Sequence, residues 1–237
     1  MEVSYLDHLG SDLTIVNAAR VSFDKRSDWE WVEDGSVYGA HVKLSVRDTK
    51  LINYLFDHKH LLPFRHPHIS LHIKAPLFIM RQIDKHQTGF SSSEISRRYV
   101  DSEPEFYTPD VWRGKPVDKK QGSSETLRDE AGDPLSVFGH GGSVNDAEGL
   151  YKASLRLYEA MLDAGVAPEM ARMVLPQAMY TEVHKTGSLL GWWHLYNMRS
   201  APDAQKEVQI IADKVGKIMA DIFPVSWSVM TKEKESA

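Results

Sequence analysis

Apolar residues recur three and four positions apart in several stretches of this chain, and in one stretch they alternate. Residues 3–6 read as a short extended piece, followed by a helix over residues 13–20 for which Asp12 is a candidate cap. The segment NAARVSF carries the last turn of that helix into a loop, and residues 24–42 are mixed and loop-like. Leu51, Ile52, Leu55 and Phe56 form a helical stripe behind Asp48, a second candidate N-cap. HPHISLHIKA puts Ile69, Leu71 and Ile73 on one face, which is strand periodicity. Ala75-Pro76 breaks that pattern, and residues 77–85 resume as a helix. Residues 114–145 are rich in Gly, Ser and Asp without a period, and read as a long surface loop inside a single domain spanning 1–237. After them, Ser143 or Asn145 caps an expected helix with Leu150, Leu157, Tyr158, Met161 and Leu162 on one face, closed by Gly165 and Pro168. A further helix over residues 203–222 aligns Val208, Ile211, Ala212, Val215, Ile218, Met219 and Ile222, and the polar tail TKEKESA reads as frayed. A few strands among long, unalternated helices predict an α+β fold.

Composition narrows what such a fold can do. The 237 residues include 28 Lys+Arg and 33 Asp+Glu, a net charge of −5, which argues against a general polyanion binder but leaves room for a local basic pocket. There is no cysteine, so disulfides, thiolate zinc sites, iron–sulfur clusters and a cysteine nucleophile are excluded. The opening MEVSYLDHLGSD lacks the basic and apolar regions of a signal peptide, and no run of about 18 apolar residues is present. The expectation is a cytoplasmic protein without nucleic-acid or membrane partners.

Two segments concentrate polar chemistry. His58, His60, His66, His68 and His72 fall close together, and His66, His68 and His72 would share a strand face. A metal-dependent hydrolase is one reading, but Asp57 is the only carboxylate nearby, so a polar strand face beside a ligand is the better one and no metal is assigned. The segment from Arg81 to Pro109 carries Arg81, Lys85, His86, Arg97, Arg98 and the serines Ser91, Ser92, Ser93 and Ser96, with Phe90, Tyr99, Phe106 and Tyr107 interleaved. Arginine forks and hydroxyls donate to phosphates and carbonyls without titrating, so this composition points to an anionic ligand with a flat ring. Glu94 is an acid within it, suited to a cation or a ribose hydroxyl. Arg172 lies among apolar residues in ARMVLP, and His194, Asn197, Arg199 and Gln205 follow Trp192 and Trp193, an aromatic pair suited to a core or to a planar cofactor.

These segments together resemble the flavin-dependent thymidylate synthase family. The resemblance rests on NAARVSF, HLLPFRH (residues 60–66), APLFIMRQ (75–82), SEISRRY (93–99), EFYTP (105–109), ARMVLP (171–176) and NMRS…AQKE (197–207). It departs in the signature, where Lys85-His86-Gln87 replaces Arg-His-Arg, Ser93 replaces Asn, and one extra residue lies near Thr88–Phe90. Ser188 and Leu190 stand where an Asn-x-Arg is usual. The resemblance implies a homotetramer with sites shared between subunits, methylating dUMP with methylenetetrahydrofolate as carbon donor and NADPH-reduced FAD as hydride source. It implies Arg199 as the catalytic residue against the pyrimidine. Gln82, Glu94, Ser96, Arg98 and Arg172 would hold the nucleotide, with Ser96 binding rather than attacking. Ser22, His60, Lys85, His86, Gln87, Glu94 and His194 would face the flavin. The alternatives are action on another pyrimidine deoxynucleotide such as dCMP, hydroxymethylation, or a non-catalytic nucleotide-binding module. The missing cysteine fits the flavin route, because thiolate activation of the ring is closed to this chain.

Overall fold

The computed structural model describes residues 1–33, 40–100, 102–117, 122–124, 127 and 147–232. Most of the expected 114–145 loop, its capping residues Ser143 and Asn145, and the end of the polar tail lie outside the described residues. At the centre is an antiparallel sheet in the order β1 (Glu2–Leu9), β4 (His68–Pro76), β6 (Tyr180–Ser188), β5 (Phe90–Glu94). Helices α1 (Asp12–Arg20), α2 (Val46–Asp57), α3 (Leu77–Ile83), α6 (Leu189–Arg199), α7 (Lys206–Ile222) and α8 (Pro224–Thr231) pack around one core with it. The fold is α+β, as the sequence pattern predicts.

The core face of β4 is Ile69, Leu71, Ile73 and Ala75, all fully buried. The alternation runs through Ala75-Pro76 to the strand's end, and α3 begins at once, with Leu77 donating to the Met179 carbonyl. Trp192 is sealed in the core and ties α6 to β4 by donating Nε1–H to the Ile69 carbonyl at 3.0 Å. Of the two readings for the tryptophan pair, core therefore applies to Trp192. The apolar face of α7 is buried at Val208, Ile211, Ala212, Val215 and Met219. Its start is Lys206 rather than residue 203, because Gln209 Nε2 donates back to the Ala201 and Ala204 carbonyls and holds that stretch as a turn.

Several local expectations need correction. Residues 24–42 include the hairpin β2 (Glu30–Glu33) with β3 (Ala40–Lys43). Asp48 does not cap α2; Ser45 does, its Oγ accepting from the Asp48 backbone N–H, while the buried Asp48 carboxylate accepts from Arg20 and Ser27. Asp12 does not cap its own helix but α8, accepting from the backbone N–H groups of Val225 and Ser226 and from the Ser226 hydroxyl. The helix α4 (Ala147–Asp163) buries only Tyr158, whereas Leu150 is 62% exposed and Leu157 also faces outward. It packs with α5 (Pro168–Ala171) over a second small core of Tyr158, Ala171, Leu175 and Met179. Among the described residues no helix is long and apolar enough to cross a membrane.

Candidate active site

Hydrogen bonds gather three of the expected site residues where α6 ends against α3. Arg199, the last residue of α6, donates from Nε to Nε2 of His86 at 3.1 Å and from Nη2 to the Gln82 carbonyl at 3.0 Å. The Gln82 amide in turn donates to Gln205 Oε1 at 2.6 Å, on the residue that caps α7. Accepting at Nε2 requires His86 to be neutral with its proton on Nδ1. Its surroundings favour that state: burial first, then the charges of Arg199 and Lys185 and the nearby His194, push its pKa down to about 4. Burial lowers Arg199 as well, but a guanidinium keeps its charge. Its Nη1 makes no hydrogen bond among the described residues.

One cavity touches this cluster through His86, and a second shares Arg65 with the first. The first, of about 550 Å³, is lined by Lys85, His86 and Gln87 from the turn between α3 and β5, by Ser188, Leu190 and His194 around α6, and by Arg65. His194 is lowered in pKa by burial and then by the Arg65 charge. Ser188 caps α6, its Oγ accepting from Gly191 N–H at 3.2 Å. The larger cavity, about 1320 Å³, opens between α1 and α2 and holds Ser22 and His60 on its wall. Its lining includes Arg20, Lys25, Arg47, Lys50, Lys59 and Arg65 and not one carboxylate, above a floor formed by Ala18, Leu51, Leu55 and Pro63. Arg65 lines both cavities.

The remaining expected residues stand apart. Glu94 is exposed at the end of β5, accepting from Thr181 Oγ1 at 2.7 Å. Ser96 and Arg98 hold each other, Arg98 Nε donating to Ser96 Oγ at 3.2 Å, with the guanidinium 5.0 Å from the centre of the Tyr99 ring. Arg172 is exposed on the turn after α5, its Nε donating to the Glu169 carbonyl at 3.3 Å. None of these is bonded to the Arg199 cluster.

The histidine-rich segment divides. His66 precedes β4, so only His68 and His72 share its polar face, and His72 Nε2 meets Glu182 of β6 at 2.9 Å, a carboxylate 110 residues away in sequence. His58 Nδ1 is 2.9 Å from the Tyr54 carbonyl and its ring stacks on Tyr54 at 4.0 Å. Among the described residues no three His, Asp or Glu side chains converge as a metal-binding group. Two residues carry more than the sequence reading gave them. Arg65 sits inside the HLLPFRH motif with no role assigned, and Lys185, in a stretch without clear periodicity, is buried under the Lys85-His86-Gln87 turn.

Against known proteins, the profile of the family described as thymidylate synthase complementing protein matches residues 4–225. A flavin-dependent thymidylate synthase of Thermus thermophilus is 35% identical over 226 residues, 95% of this chain and 74% of that protein. One of Thermosipho melanesiensis is 35% identical over 231 residues, 96% of this chain and 89% of its own length. Among solved structures, the UMP/dUMP methylase PolB from Streptomyces cacaoi bound with 5-Br dUMP superposes with a TM-score of 0.73 at 28% identity, covering 97% of this chain and 94% of that one. The same methylase bound with 5-Br UMP gives 0.70.

Proposed function

The chain belongs to the thymidylate synthase complementing protein family, and from that premise we propose that it is a flavin-dependent enzyme that methylates dUMP to dTMP. Methylenetetrahydrofolate gives the carbon, and NADPH-reduced FAD gives the hydride. In balance, the pyrimidine gains the methylene group and one hydride and loses its C5 proton, while the two folate nitrogens that held the methylene take up two protons, leaving tetrahydrofolate and oxidised nicotinamide.

The observation that carries this reading is the Arg199 cluster with two cationic, acid-free cavities, the smaller lined by His86 and the larger joined to it through Arg65. Their linings fit FAD on chemical grounds: the apolar floor suits a flat ring, and Arg65 with the lysines and arginines around it suits a pyrophosphate. When bound, the flavin supplies hydride chemistry, the part that no side chain of this protein can supply. The protein's own residues bind and orient. Arg199 donates to a pyrimidine carbonyl and draws electron density from the ring, as a preorganised donor in a water-poor site does. Neutral His86 takes the Arg199 Nε–H and the Gln82 carbonyl takes an Nη2–H, so the guanidinium presents its free edge in one direction. Lys85, His86, Gln87 and His194 in the smaller cavity, and Ser22 and His60 in the larger, face the flavin. Gln82, Ser96, Arg98 and Arg172 hold the nucleotide phosphate and sugar, and Glu94 serves the ribose side. Ser96 is given a binding role because its Oγ has the Arg98 guanidinium beside it and no base. The exposure of Arg98 and Arg172, away from Arg199, supports sites completed by a second copy of the chain in a homotetramer.

A second reading has one observation in its favour: the structural likeness to a methylase of both UMP and dUMP admits the ribonucleotide as substrate. Both readings are tested on purified protein. Flavin absorption that NADPH bleaches and air restores is expected, followed by a product 14 mass units above dUMP. Incubation with UMP and dCMP in parallel fixes the substrate, and a colourless protein that leaves dUMP unchanged would end both readings.

A further inference from the structure

Lys185 is an unusual residue for the position it occupies. It stands on the core-facing side of β6, opposite Leu71 of β4 and Ser92 of β5, and is 2% exposed. Lysines are almost never buried so deeply unless they are paired. Here the ammonium donates to Asp84 Oδ1 at 3.1 Å and to Ser92 Oγ at 2.8 Å, and lies 5.1 Å from the centre of the Phe90 ring. Asp84 follows the last residue of α3, and Ser92 is in β5. The chain between them is the turn that carries Lys85, His86 and Gln87. One buried side chain therefore ties both ends of that turn to the sheet.

We propose that Lys185 is the positioning residue of this turn, fixing its span so that His86 meets Arg199 and placing its ammonium near the imidazole so that it stays an acceptor. The use made of Arg199 rests on the function proposed above; the arrangement itself belongs to the chain alone. The groups around His86 are Lys85 from its own turn, Lys185 from β6, His194 and Arg199 from α6, and Arg65 and His68 in the lining of the smaller cavity. Asp84, two residues before His86, is the carboxylate that Lys185 engages. A proton added to Nε2 of His86 would remove the acceptor for Arg199 and set two cations against each other.

The test uses protein free of flavin and nucleotide, so its failure is distinct from failure of the proposed function. Side-chain NMR titration of the histidines, with His86 assigned by its loss in H86Q, is compared between wild type, K185M and S92A. In wild type His86 is expected to stay neutral down to about pH 4. In K185M its midpoint should rise, while burial and Arg199 still hold it below the ordinary imidazole value of about 6.5, and amide exchange over residues 85–91 should quicken. S92A keeps the charge and removes one hydrogen bond, so exchange should quicken while the midpoint holds. An unmoved His86 midpoint in folded K185M overturns the proposal, and so does unchanged exchange in S92A. If K185M does not fold, D84N takes its place: releasing Lys185 from its carboxylate should lower the midpoint further, and an unmoved midpoint overturns the proposal.

Discussion

Arg199 and His86 constrain each other in opposite directions. The guanidinium needs an acceptor to fix its plane, and the imidazole can be that acceptor only without its second proton. Because the folded His86 has a pKa of about 4 against an ordinary 6.5, the unfolded chain binds more protons between those values, so stability rises with pH across that window. The urea midpoint should therefore climb from pH 4 to pH 6.5, and in H86Q part of that climb should disappear; parallel curves for the two proteins would contradict this account of His86. Arg199→Ala removes the donor and leaves the cavity linings intact. It should cut turnover by roughly a hundredfold or more while flavin stays bound through desalting, read as absorbance in the protein fraction. Turnover near the wild-type level would take the pyrimidine role away from Arg199.

At the scale of elements, β5 is seated through Phe90. Phe90 lies over Gly187 of β6 and Gly191 of α6, edge-on to Trp192 with ring centres 4.8 Å apart. A methyl group on Gly187 would stand 2.3 Å from the Phe90 ring, and on Gly191 3.1 Å from it. Gly187→Ala is thus expected to destabilise by about 1–3 kcal/mol, as overpacking does, with the loss concentrated in β5 when hydrogen exchange is followed; a neutral effect would mean that Phe90 is not seated there. The same strands mark where the sequence was legible. β4 reads plainly because Ile69, Leu71 and Ile73 alternate with polar residues. β6 does not, because its inward positions are Thr181, Val183, Lys185 and Gly187, and β5 offers Phe-Ser-Ser-Ser-Glu, with no apolar period at all. The Arg199 cluster was legible only through motifs, since its hydrogen bonds span more than a hundred residues and no local pattern encodes them. The cap residues misled for a related reason: Asp12 and Asp48 look like caps of the helices they begin, yet tertiary partners, Ser226 and Arg20, claim their carboxylates.

For the whole molecule, the function proposed above requires Arg172 and Arg199 to act on one nucleotide. Within one chain they sit in separate hydrogen-bond networks, and the surroundings of Arg98 and Arg172 are open: Tyr99 beside Arg98 is 76% exposed and Met173 beside Arg172 is 72% exposed. Large apolar side chains left open next to exposed arginines are what an interface between copies requires. If each site draws Arg172 from one subunit and Arg199 from another, two inactive variants can repair each other. Arg172→Ala and Arg199→Ala proteins, each nearly inactive alone, should regain activity when unfolded and refolded together, because a mixed assembly brings the intact Arg172 of one chain opposite the intact Arg199 of the other. Random mixing in equal amounts restores about a quarter of the sites in such a closed, symmetric assembly. The measurement is dTMP formation by the refolded mixture against each variant refolded alone, with the assembly size followed by sedimentation. A mixture no more active than its components, although assembled, would place both arginines of a site on the same chain.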